Sequence, residues 1–119
     1  MKYALPLVVA FAVACSATLY VRQESDTLYF GTAKPDGGAV TPAEWQQFVR
    51  EVIVPRFAGF TVLEAEGEWK GKPEATHVVV IVHPAGSERQ IREIIETYKK
   101  RFQQESVMQV REDVWIPRR

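Results

Sequence analysis

Between Thr41 and Phe57 the large apolar side chains Trp45, Phe48, Val49, Val52 and Ile53 recur at i, i+3, i+4, i+7 and i+8. That spacing predicts a helix with one stripe turned to a core. Thr41, followed by Pro42 and by Glu44 three residues on, reads as a capping box with proline at the first helical position. Pro55 restricts Val54, which closes the helix near Phe57. A second stripe, Ile91, Ile94, Ile95, Tyr98 and Phe102, opens at Ser87 with Gln90 three residues later, a second expected capping box. Glu88 with Arg92 and Glu96 with Lys100 are expected as ion pairs on its wet side.

The other apolar stretches have strand character. Residues 27–33 are aromatic and β-branched, and "FTVLEAEGEW" alternates, with Leu63, Ala65, Gly67 and Trp69 on one side and Glu64, Glu66 and Glu68 on the other. The first set is expected to be the packed face. The glutamates are expected to be solvated on an edge strand, or to meet cations, either basic groups of a paired strand or copy such as Arg111 or a bound cationic ligand. "THVVVIVH" is apolar on both sides, as a covered central strand is, and a last strand is expected over about 106–116. "KPDGG" before Thr41 is a reverse turn, and "KGKPEA" reads as the connection of a hairpin. The order βαββαβ, with short right-handed connections, predicts a ferredoxin-like α+β sandwich: a four-stranded antiparallel sheet, first and third strands central, both helices on one face. Its other face is open, and the apolar third strand makes a homodimer, sheet to sheet, the expected cover.

The first 21 residues differ from the rest. Residues 3–21 carry no charge behind Lys2, and as a helix they would span about 28 Å. They read as a signal peptide, a lipoprotein leader or a membrane anchor. "AVAC" ends in Cys15, the only cysteine of the chain, which resembles the lipidated cysteine of a lipobox, while "AVA" also suits ordinary signal peptidase. Each reading places the domain outside the cytoplasm, in the periplasm or cell envelope. Residues 22–26, "RQESD", are expected as a linker, and 27–119 as one domain.

Lysine plus arginine balance aspartate plus glutamate, fifteen each, for zero formal charge. No overall field is left to hold nucleic acid. The glycine turn at 37–38 is no phosphate cradle, because Pro42 removes a donor and no Gly-Lys-Ser/Thr follows. "GEWKGKP" leads to a strand, which a P-loop does not. His77 and His83 lie six strand residues apart, about 20 Å, too far for one metal, so no metal or cofactor is expected. His83 has no serine or cysteine nucleophile beside it.

The segments "LYFG", "EWQQFVREVIVPRF", "GFTVLEAEGEW", "VHP" and "YKKRFQQESV" resemble the bacterial family of domain of unknown function 3574, small proteins with signal or lipoprotein leaders. The resemblance covers about 27–110. It departs at 70–76, where the family has a longer and more polar hairpin. It implies one exported domain and brings no activity or catalytic residues. It draws attention to Arg56, expected to pair with Glu105, and to Trp69. The residues and the resemblance together point to a membrane-tethered envelope protein acting as a binding or accessory module, with a protein partner in the envelope. Two alternatives stand beside it: a cofactor-independent dimeric enzyme acting on a small apolar substrate, with Tyr29, Trp69 and His83 lining a pocket between sheets, and a small subunit of a membrane assembly. Ligand-binding candidates are therefore Tyr29, Arg56, Trp69 and His83.

Overall fold

The computed structural model describes residues 19–119. Cys15 and most of the expected leader therefore lie outside the described residues. The elements are β1 (Tyr20–Gly31), α1 (Pro42–Phe48, continued by a π-helical turn over Val49–Ile53), β2 (Thr61–Trp69), β3 (Lys72–His83), α2 (Glu88–Arg101) and β4 (Met108–Pro117). The strands pair antiparallel in the order β2-β3-β1-β4. This is the expected ferredoxin-like α+β arrangement, with β1 and β3 central.

The two helical stripes meet one face of the sheet. Leu28 and Phe30 of β1, Val79 and Ile81 of β3, Phe48 and Ile53 of the first helical segment, and Ile91, Ile94 and Tyr98 of α2 form the buried core. Phe30 is its hub, with ring centroids 5.3 Å from Trp45, 5.9 Å from Phe48 and 4.7 Å from Tyr98. The Thr41 box forms as read: Thr41 Oγ1 accepts from Glu44 N at 3.1 Å, and Glu44 Oε1 accepts from Thr41 N at 3.0 Å.

Several local expectations are corrected. Residues 22–26 are not a linker, and Tyr20 and Val21 are not leader: all belong to β1, which pairs with β4 from Tyr20↔Pro117 to Tyr29↔Met108. The polar run is accommodated because the helix-side end of the sheet holds its own charges, such as Arg22 with Asp113 at 2.9 Å. "KGKPEA" is mostly strand, and the hairpin closes on Lys70–Gly71 alone, both at positive φ (50° and 78°). A two-residue turn with both centres in that region matches the twist of its strands. Ser87 caps nothing with its side chain, since its Oγ donates to Pro84 O at 3.0 Å. On α2 the ion pairs are Arg89 with Glu93 and Lys99 with Glu96, because Glu88 turns to Arg111 across the chain.

The face assignment of β2 is also reversed. Leu63, Ala65 and Gly67 pair with Val78, Thr76 and Glu74, the β3 residues on the open face, and Trp69 pairs with Lys72 there. Glu64 points to the helix side, where it bonds His77, whose ring stacks on Trp45 at 4.2 Å. The glutamates stay exposed along β2, which is an edge strand of the sheet. Arg111 is not their partner; it serves Asp26 and Glu88. Among the described residues no helix is long and apolar enough to cross a membrane.

Candidate functional site

Cross-strand partners share a face of a sheet, so the register places Tyr29, Gly31, Thr76, Glu74, Ala65, Gly67, Trp69 and Met108 together on the side away from the helices. At this end of the open face they floor a cleft of about 760 Å³. Its walls are the β2–β3 hairpin, the turn at Ala33–Pro35 and the α2–β4 connection over 103–106. That volume lies in the range of small-molecule sites.

The floor is low because its central residues are small. A Cβ on Gly31 would lie 2.7 Å from Glu74 Oε2, so only glycine lets that carboxylate lie flat across β1. Glu74 Oε2 accepts from Ala33 N at 2.8 Å, and Thr32 Oγ1 donates to Ala75 O at 2.7 Å, which fixes the strand end beneath the cleft. On the opposite side of the same residue, Tyr98 Oη donates to Gly31 O at 2.6 Å. Burial pushes the Tyr98 hydroxyl well up, and the charges of Glu74 and Glu44 push it further, so it stays a donor. The rim is tied by Lys70 to Glu105 at 3.2 Å and by Gln104 Nε2 to Ala33 O at 2.9 Å. Trp69 stands at the mouth, 49% exposed, with the Lys70 ammonium 5.8 Å from its ring centroid.

A second polar constellation lies behind the sheet. Asp26 is fully buried and accepts from Gln109 Nε2 at 2.8 Å and Arg111 Nε at 3.1 Å. His83, also buried, places Nε2 2.6 Å from Asp26 Oδ2 and Nδ1 2.8 Å from Pro84 O. Both ring nitrogens are thus within hydrogen-bond reach of an oxygen. Burial alone would push the Asp26 carboxyl up, but the hydrogen bonds from Arg111, Gln109 and His83 together outweigh it and hold it below its ordinary value. With Asp26 and His83 buried and Arg111 at its outer side, this cluster fastens β1, β3 and β4 to the start of α2 through Arg111 and Glu88.

The structure brings Tyr29 and Trp69 together in the cleft and leaves His83 and Arg56 outside it. His83 sits on the helix side in the Asp26 cluster, and Arg56 donates to Val52 O at 2.9 Å and lies 3.6 Å from Glu93. The expected Arg56–Glu105 pair does not form, since Glu105 holds Lys70. Sequence reasoning missed Glu74 because it lay in a presumed connection, and Asp26 because it lay in a presumed linker. The available signal was a glycine within each of two strands, Gly31 and Gly67, which marks close approach by another group. Among the described residues no three histidine, cysteine, aspartate or glutamate side chains gather as a metal site.

The sequence profile described as "Protein of unknown function (DUF3574)" matches residues 25–117. The chain belongs to the DUF3574 family. The match begins inside β1 and ends with β4, so the family domain is the whole sheet with its helices, the cleft and the Asp26 cluster included. No curated protein matches this DUF3574 chain in sequence. Among solved structures, it is similar to a phage SAM lyase in complex with S-methyl-5'-thioadenosine, at 13% identity and a TM-score of 0.53, over 81% of this chain and 90% of that one. It is also similar to CPII from Thiomonas intermedia K12, bound to ADP and bicarbonate, at 12% identity and a TM-score of 0.54, over 83% and 92%. At such identities the likeness is one of fold.

Proposed function

We propose that this protein is a small-ligand-binding module of the cell envelope, tethered or exported by its N-terminal segment, with the cleft on the open sheet face as its site. The observation that carries the reading is the cleft itself: small residues form its floor, Tyr29 and Trp69 offer aromatic surface, and a few fixed polar groups converge on it. His83 is walled off behind the sheet, so the cleft contains no imidazole base, which favours binding over turnover. The envelope location rests on the uncharged run that follows Lys2 and precedes β1, residues 3–19.

The rest of the same face supports pairing of two copies. Leu63 is 52% exposed, and Val82 and Val110 are also open to water. A contiguous apolar sheet surface of this kind is a usual mark of an interface. Native mass spectrometry of the protein, released gently from the envelope fraction, is expected to show a dimer carrying a small additional mass. Recovery of an empty monomer would overturn both the cleft and the pairing, and recovery only from the cytosol would overturn the location.

Trp69→Ala provides a direct check. The side chain is half-exposed on an edge strand, so the substitution is expected to change stability by less than about 1 kcal/mol. Loss of one stacking surface should nevertheless weaken ligand retention by about tenfold or more. S-methyl-5'-thioadenosine and ADP, the molecules held by the two structural neighbours, belong in the same titration series. Unchanged affinity of the variant for whatever ligand the native protein carries would remove the cleft from consideration.

A further inference from the structure

The charges around the cleft do not cancel. Its lining includes Glu74, Glu105, Lys34 and Lys70, whereas the side chains of Glu66 and Glu68 alternate toward the helix side of β2. Lys70 is committed to Glu105, and Lys34 lies 3.7 Å from Glu44, a residue outside the lining. Glu74 has no ion-pair partner among the described residues. It is held in place, pinned through Oε2 by the Ala33 N–H and laid over Gly31, while its Oε1 takes no hydrogen bond from the described residues. Its position is therefore set before any ligand arrives, and its second oxygen is free to accept. Across the cleft the half-open Trp69 ring already has one ammonium near it, that of Lys70.

We propose that the cleft selects a small organic cation carried on a flat apolar body, with the cationic group at Glu74 and the body against Trp69. The inference rests on the reading of the cleft as a ligand site and adds its chemical class. A preorganised carboxylate in a partly enclosed site forms charge-assisted hydrogen bonds with a cationic donor. The aromatic wall adds attraction for the same charge. Polyanionic ligands meet the unpaired Glu74 with both lysines already paired, so a nucleoside diphosphate is disfavoured at this site. The attraction between Glu74 and a cation is one that salt screens.

Three indole compounds whose head groups are cationic, neutral and anionic test this on the purified protein: tryptamine, tryptophol and indole-3-acetate. Titrations followed by amide and indole N–H chemical shifts are expected to place all three at Trp69. Tryptamine should bind about tenfold more tightly than tryptophol, with indole-3-acetate weakest, and the spread should narrow in about 1 M salt, where the screening length is about 3 Å. Glu74→Gln can still accept the Ala33 N–H, so it should keep the fold and the tryptophol affinity while losing the preference for tryptamine. Equal binding of tryptamine and tryptophol to the native protein, or an undiminished preference in Glu74→Gln, overturns the charge assignment and leaves the ligand site standing. Absence of any shift at Trp69 with all three compounds overturns the ligand site as well.

Discussion

Replacing Asp26 by alanine is expected to destabilise the protein by about 3–5 kcal/mol, because a buried, charge-paired carboxylate is removed and its partners stay behind. Arg111 Nε and Gln109 Nε2 lose their acceptor, and the buried His83 loses the partner of its Nε2. For a domain of this size the loss corresponds to a fall in Tm of more than about 10 °C. Urea and thermal denaturation followed by circular dichroism would measure it. A cost below about 1 kcal/mol would mean that the cluster contributes no net stability. The double variant Asp26→Ala with Arg111→Met should cost less than the sum of the two single changes, since it removes the stranded cation together with its partner.

The same cluster sets an acid limit on the fold. The Asp26 carboxyl is held below its ordinary value of 3.8 in the folded protein, so the unfolded chain takes up the proton first as pH falls. The stabilisation is complete above pH 3.8 and is lost as the pH drops through the lower folded-state value. Stability measured against pH should therefore decline at the acid end. In Asp26→Asn this part of the decline should be absent, although the variant is less stable at neutral pH. An acid profile identical in both proteins would show that other carboxylates govern the limit.

Replacing Phe30 by alanine is the second large effect. The ring is fully buried between Trp45, Phe48 and Tyr98, and its strand neighbours on either side, Tyr29 and Gly31, line the cleft. Truncation leaves a cavity where both helices meet β1, at an expected cost of about 3–5 kcal/mol. Near-ultraviolet circular dichroism should lose intensity, because Trp45 and Tyr98 lose the partner that orders them. The floor of the cleft should loosen with it, because Tyr98 holds the Gly31 carbonyl from behind. A loss below about 2 kcal/mol would mean that the surrounding aromatic rings close the space.

The helices were legible because their signals are local. The spacing of Trp45, Phe48, Val52 and Ile53, and that of Ile91, Ile94, Tyr98 and Phe102, matches the buried set. The Thr41 box formed because its two bonds join residues three apart. Ser87 had the same composition and failed, since the preceding Pro84 carbonyl offered its hydroxyl a competing acceptor. β2 shows a different limit: alternation separates Leu63 and Trp69 from the glutamates but does not say which set meets the helices. Acidic residues on the helix side are tolerated here because they stay exposed on an edge strand, and which strand lies at the edge depends on pairing between elements far apart in the chain.

By itself, the sequence determined the order of elements, their connections and hence the ferredoxin-like α+β class, together with the family. Those properties follow from periodicities and caps that act over a few residues, and from chain-crossing rules that leave few ways to join them. Only the tertiary structure decided the cleft and the buried charge cluster. Glu74 meets Ala33 across 41 residues and Asp26 meets His83 across 57, and both contacts depend on strand register. A shift of one residue in that register would send each carboxylate to the opposite face, and it is the packing of the whole sheet against two helices that fixes it.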